Sequence, residues 1–200
     1  MKTGFFVLAL VLALSGCASF GRPGETSTVV YYVLNDAGQS PATLPTRTDL
    51  PTLLVPDTTT GGFYDTDQLV FSRSAGTRGQ YQFARWTDRP AKRFADLLRA
   101  RLDHEGRYRV VSAGGYLRGN RMLDTRLVEF YHDAASEPGV VRLVLRADLV
   151  DLKQRSLLGR RTFEEQAPLT TYDAAGAAQA SGVAVSRVLD DLGAWLATIK

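Results

Sequence analysis

Between residues 141 and 149 apolar and polar positions alternate, with Val144 the one apolar residue at a polar position. Val141, Leu143, Leu145, Ala147 and Leu149 fall on one side, with Arg142, Arg146 and Asp148 among the residues between them. A period of two belongs to a half-buried strand, because successive side chains of a pleated backbone face opposite ways. Met122–Tyr131 before it and Leu157–Leu169 after it read as its antiparallel neighbours. Upstream, Val29–Leu34 is β-branched and aromatic and therefore strand-forming. Leu53-Leu54-Val55 is a short buried strand closed by Pro56, and Tyr108–Val111 is another strand. Gln68–Arg73 and Gln80–Arg85 flank Ser74–Gly79, the pattern of a hairpin with a longer turn. Asn35–Pro51 contains Gly38, Pro41 and Pro45 and reads as a loop.

Two segments carry the helical period instead. Phe94, Leu97, Leu98 and Leu102 share one face of a helix that should begin near Asp88 as N-cap, with Pro90 in the first turn, and stop at Gly106. A longer helix should be capped by Asp173. Along it Ala177, Ala180, Ala184, Val188, Leu192, Trp195 and Ile199 form a continuous apolar stripe, small in its first half and bulky in its second. Strands with two amphipathic helices predict an α+β fold: a single domain over 29–200, with a mostly antiparallel sheet and both helices on one face.

The N-terminus adds a compartment. Lys2 precedes an apolar run from Phe5 to Leu14, shorter than the roughly 20 residues that span a bilayer but suited to an export signal. The run ends in Leu14-Ser15-Gly16-Cys17, which resembles the lipobox of bacterial lipoproteins. Small residues at 15 and 16 admit a signal peptidase, and the thiolate at 17 takes up diacylglycerol. An ordinary signal peptide or an uncleaved anchor are the alternatives. Against them, Cys17 is the single cysteine of the chain, so it has no intramolecular disulfide partner. Residues 1–16 are then the signal peptide. Residues 17–28 are the lipidated cysteine and a flexible tether broken by Gly21, Pro23 and Gly24, with a typical reach of roughly 18 Å. Two or three acyl chains, palmitate among them, anchor firmly where a single chain binds only marginally. Ala18 stands where, in lipoproteins of enteric-type bacteria, an aspartate would favour retention at the inner membrane, so the lipobox resemblance implies the outer membrane, facing the periplasm.

Charge changes the picture little. Removing residues 1–16 takes Lys2 from the 24 basic side chains and nothing from the 21 acidic ones. No basic run of four or more exists, so nucleic acid is not the expected partner.

The chain is poor in catalytic signals. It has two histidines: His104 closes a helix, where the dipole favours a cation, and His132 belongs to a polar patch at a strand end beside Asp133. There is no G-x-S-x-G elbow, H-E-x-x-H helix, P-loop or second cysteine. Asp57, Asp65 and Asp67 lie in a glycine-containing loop, but their spacing matches no EF-hand loop and a solvated acidic loop is the simpler reading. No enzyme, no metal and no cofactor beyond the acyl anchor on Cys17 are expected. Phe63, Tyr64, Tyr81, Phe83 and Trp86 gather around the hairpin with Arg73 and Arg85. Such residues are either core or an interface, where aromatics and arginine are enriched. Tyr81, Arg85, Trp86, Phe63 and Tyr64 are the candidate partner contacts, with Trp86 by itself the best placed to fill the core instead.

Taken in order, these segments resemble the auxiliary lipoproteins of ABC-type transport systems, typified by the paraquat-inducible lipoprotein PqiC. The resemblance runs from the lipobox through Tyr31-Tyr32-Val33-Leu34, Leu54-Val55-Pro56, Leu69–Arg73 and Tyr81–Trp86 to Pro90, and ends in the Ala-rich helix with Trp195-Leu196. Arg89-Pro90 replaces the frequent double proline, and the Gly61–Asp67 loop departs from the usual form. The resemblance implies a non-enzymatic component of a system moving lipid between inner and outer membranes, partnered by an MCE-domain protein and an ABC permease and ATPase, and able to self-associate. A lipoprotein that only stabilises an envelope complex, without touching lipid cargo, is the alternative.

Overall fold

The computed structural model describes residues 28–38, 50–112 and 119–199. The signal peptide, Leu14, Ser15, Gly16, Cys17 and the tether up to residue 27 lie outside the described residues, as does much of the Asn35–Pro51 loop. Nine strands form one sheet: β1 Val30–Tyr32, β2 Thr52–Leu54, β3 Thr59–Thr60, β4 Gln68–Ser72, β5 Gly79–Trp86, β6 Arg109–Val111, β7 Arg121–Asp133, β8 Val140–Asp151 and β9 Ser156–Pro168. Two helices complete the domain, α1 Pro90–Glu105 between β5 and β6 and α2 Ala174–Thr198 after β9.

The long ladders are antiparallel. β8 pairs along its whole length with β7 on one side and β9 on the other, Leu145 meeting Leu127 and Phe163. The short ladders are mostly parallel. The free edge of β7 is shared by three strands in succession: β2 at Arg121–Met122, β3 at Arg126–Leu127 and β4 at His132–Asp133. β5 pairs antiparallel with β4 across the expected hairpin, and β1 pairs parallel with β5 as the end of the sheet path. The sheet is therefore mixed within the α+β class.

Val141, Leu143, Leu145, Ala147 and Leu149 are all buried, as the alternation requires, and join Leu123, Leu127 and Phe163 on the face beneath the helices. From α1 come Phe94, Leu98 and Leu102; from α2 come Ala184, Val188, Leu189 and Leu192. Asp173 caps α2 by accepting a 2.7 Å hydrogen bond from the Gly176 amide. Asp88 does not cap α1. The N-cap is Arg89, with no side-chain cap hydrogen bond, and Pro90 follows at the first helical position. Proline there needs no amide partner and presets φ for the helix, which makes the side-chain cap dispensable. Gly106 ends α1 in the left-handed conformation, and His104 lies in its last turn.

Candidate functional site

The aromatic residues singled out in the sequence do not form one patch. The tertiary structure divides them among four places, one of them the β1 edge of the sheet, where Phe83 is exposed.

Trp86 is a correction. It is 4% exposed and stacks on Phe130 of β7 at 6.0 Å. As the last residue of β5 it points beneath α1, so it belongs to the core and offers no surface to a partner.

Tyr81 is half-buried. Its hydroxyl lies 2.8 Å from Nδ1 of His132, with the two rings nearly coplanar at 4°. His132 is not part of an open polar patch at the strand end, as its neighbour Asp133 suggested, but is 2% exposed. Its other nitrogen, Nε2, faces the turn at Pro138–Gly139 without an acceptable hydrogen bond, and a Cβ at Gly139 would stand 2.5 Å from it. Tyr172 packs edge-on against His132 at 5.6 Å and donates to the Ala134 carbonyl. Next to this cluster is an open cleft of about 290 Å³ lined by Phe71, Arg73, Tyr81 and Tyr172 among others.

Burial pushes the His132 imidazole below its ordinary pKa, more than the Pro138 backbone and Asp133 raise it. Below about pH 6.5, the ordinary histidine value, the unfolded chain therefore binds a proton that the folded one refuses. Stability must fall as pH drops from that point toward the folded pKa. Tyr81 acts at the other end. Burial first, then Tyr172, pushes its hydroxyl up to about 12, so stability is lost as pH rises above about 10, where the unfolded side chain ionises. We expect urea midpoints to drop between pH 7 and pH 5 more steeply in the wild type than in His132→Gln. Glu105, whose carboxyl is raised by burial, contributes an opposite slope common to both proteins. Equal slopes would show that His132 is not the source.

The third place is the helix-free face of the sheet. Phe63 is exposed and meets Tyr64 edge-on at 6.1 Å. Tyr64 is held there by Arg78, whose Nε donates to its hydroxyl at 2.8 Å while the guanidinium lies 3.7 Å over the Tyr131 ring and 3.5 Å from Glu129. With Gly61, Gly62, Arg126, Val128 and Arg146, these two aromatics line an open cleft of about 480 Å³. Its floor has an unfavourable pairing: Arg126 of β7 stands directly opposite Arg146 of β8, and like charges in register repel. Arg146 reaches Asp148 at 3.4 Å, but Asp148 is engaged more closely by Arg160 at 2.7 Å, whose hydrogen bond is the largest influence holding that carboxyl below its usual range. The cleft joins apolar surface to incompletely neutralised positive charge, which suits an acidic or anionic partner with an apolar side.

Arg85, the last candidate, sits at the β1 edge of the sheet opposite Tyr31, 3.9 Å from Asp67. The loop aspartates do not converge. Asp57 pairs with Arg99, Asp65 with Arg89 and Asp67 with Arg85, three arginines that draw them apart. Sequence reasoning missed Arg126 and Arg146, because only the β7–β8 register puts them side by side. It also missed the buried pairing of His132, because Asp133 beside it made the strand end look polar and solvated.

Among solved structures, a Xanthomonas campestris protein assigned to the family DUF330 is similar at 19% identity with a TM-score of 0.71, over 84% of this chain and 94% of that one. An uncharacterized protein is similar at 16% identity and a TM-score of 0.65, over 84% and 99%. These likenesses show the fold. No curated protein matches in sequence. Residues 32–193 match the family described as the ABC-type transport auxiliary lipoprotein component. The match runs from the last residue of β1 to Gly193 of α2 and takes in α1 and the strands β2 to β9 whole, so the chain belongs to the ABC-type transport auxiliary lipoprotein family.

Proposed function

We propose that the protein is an outer-membrane-anchored periplasmic lipoprotein that serves, without catalysing a reaction, as the auxiliary component of an MCE/ABC-type lipid transport system. The observation that carries this reading is the family match over nearly the whole fold. Two physical features support it. The domain has an apolar, arginine-lined cleft on its helix-free face, suited to docking rather than to chemistry. Its interior is closely packed where clefts reach inward: the space beside Trp86 and Phe130 is about 10 Å³ and that beside Phe94 and Leu143 about 0 Å³. The first is no more than about the 10–15 Å³ of such space that a single water requires and the second is below it, so neither admits an acyl chain. Lipid would then pass beside this domain, inside a partner's apolar channel, while the domain positions that partner at the membrane. The same packing supports the second reading, an assembly lipoprotein that never contacts cargo.

In purifications of the acylated chain from its native membranes, the proposal expects an MCE-domain protein with the permease and ATPase to co-purify. Lipid mass spectrometry separates the two readings by whether phospholipid follows the complex. Phe63→Ala combined with Arg126→Ala should weaken the association by about 2 kcal/mol or more if the cleft holds interface hot spots. Cys17→Ser should remove the chain from the outer-membrane fraction, because serine cannot form the thioether. A complex without any MCE-domain protein, or a serine variant still processed and acylated at the outer membrane, would overturn the proposal.

A further inference from the structure

Four large hydrophobic side chains that stay exposed lie at one edge of the sheet: Val30 at 48%, Tyr31 at 61%, Val33 at 53% and Phe83 at 42%. β1 ends the sheet path and, among the described residues, pairs only with β5, Val30 opposite Ala84 and Tyr31 opposite Arg85. Phe83 immediately precedes that paired stretch.

Two features say what covers this rim. The first is its shape. Val30 and Tyr31 are consecutive residues of a strand and so point to opposite sides of the sheet, yet both are exposed. The apolar surface is therefore a ridge presented edge-on. A protein docking on one face of the sheet would leave the other side of the ridge in water, whereas a soft apolar boundary wraps both. A second copy pairing along the backbone would have only the three residues of β1 to pair with. The second feature is the length of chain before the rim. Val30 follows Cys17 by thirteen positions, a separation whose typical reach in a linker of small, polar residues is roughly 20 Å. A tether of that length keeps the rim at an effective concentration in the millimolar range, so a weak affinity for the anchoring surface suffices. Tyr31 adds an amphipathic ring of the kind enriched at membrane–water boundaries.

We propose that the rim formed by Val30, Tyr31, Val33 and Phe83 rests in the headgroup region of the membrane that holds the acyl anchor, and thereby fixes the orientation of the domain on it. The proposal rests on the reading of Cys17 as the lipidated residue. Docked in this way, the tether end faces the bilayer and the sheet stands on its β1 edge instead of swinging freely on the tether.

The test uses the full mature, acylated chain reconstituted into vesicles of phosphatidylethanolamine and phosphatidylglycerol. Cys17 is the single cysteine and its thiol is consumed by the anchor, so one added cysteine takes a polarity-sensitive fluorophore alone. Tyr31→Cys and Phe83→Cys report on the rim, and Thr162→Cys, exposed on β9, is the reference. The expected result is a blue-shifted emission at positions 31 and 83, quenched by lipids carrying a nitroxide at the headgroup, with neither effect at position 162. Vesicle-bound protein whose rim labels are as water-exposed as the reference would overturn the rim proposal while leaving the anchor intact. Rim labels that shift with protein concentration but ignore the nitroxide lipid would overturn it in favour of a second copy. Chain that carries no acyl group by mass and leaves the vesicles would overturn the anchor reading and the rim proposal with it.

Discussion

Replacing Arg101 with methionine should destabilise the domain by about 3–5 kcal/mol, the usual cost of leaving one partner of a buried ion pair behind. Arg101 projects from α1 into a polar cluster assembled by three separate segments. Its Nε and Nη2 donate to the Asp36 carboxylate at 2.9 and 2.6 Å, and Nη1 pairs with Asp190 of α2. The Asp36 side chain has no solvent exposure, whereas that of Asp190 is 62% exposed. Burial alone would lower the Arg101 pKa, but the hydrogen bond and charge of Asp36, aided by Asp190, outweigh it and raise the value. The asymmetry makes the prediction specific. Losing Arg101 strands a carboxylate with no solvent exposure, left among the described residues with the 3.1 Å hydrogen bond donated by the Gly38 amide. Losing the charge of Asp36 leaves Arg101 with Asp190. Asp36→Asn should therefore cost clearly less than Arg101→Met, and Asp36→Leu combined with Arg101→Met should recover part of the loss. Urea denaturation of residues 28–200 measures all three. A loss under about 1 kcal/mol in Arg101→Met, the range of an exposed pair, would mean that water takes over the role of the guanidinium.

Trp195→Ala should cost a similar amount, about 3–5 kcal/mol, by removing a large side chain that its surroundings cannot refill. Trp195 lies in the last two turns of α2 and meets Phe163 of β9 edge-on at 5.9 Å. Beneath it the sheet is shaped to fit. Gly159 replaces a side chain where a Cβ would come within 3.1 Å of the indole Cζ2 and 2.9 Å of Ile199 Cδ1. Gly159→Val should therefore also destabilise, by lifting the end of α2 off the sheet. Thermal melts decide it. An unchanged midpoint in Trp195→Ala would mean that the end of the helix is held by something other than this contact.

These two sites mark the boundary between what was legible in the sequence and what was not. The stripe that places Trp195 is local: its spacing of three and four residues can be read along one helix, and so can the Asp173 cap. The alternation of β8 is equally local, and burying one face of the sheet required Val141, Leu143, Leu145, Ala147 and Leu149 to point inward. The Arg101 cluster is not local. Asp36, Arg101 and Asp190 stand 65 and 89 positions apart, and nothing in the spacing of charged residues announces their meeting.

The same distinction separates the parts of the candidate site. The aromatic character of the hairpin region was plain in the sequence, but which ring faces outward was not. β5 carries a bulge opposite Gln68–Val70, which breaks the two-residue rhythm that would have assigned Tyr81, Phe83 and Arg85 to one face. Trp86 shares the buried face of Ala84, and Phe83 takes the opposite, exposed side. Arg126 and Arg146 became neighbours through the β7–β8 register, and β7 shares its other edge among β2, β3 and β4 through parallel contacts of two residues each. Periodicity records only whether a residue faces water or core, so the elements were readable along the chain, the two-residue β3 excepted, together with the buried faces and the helix ends set by Asp173 and Gly106. Strand order, register and the closing of distant charges depend on free-energy differences between whole packings, which no local pattern encodes, and they emerge when the complete fold packs.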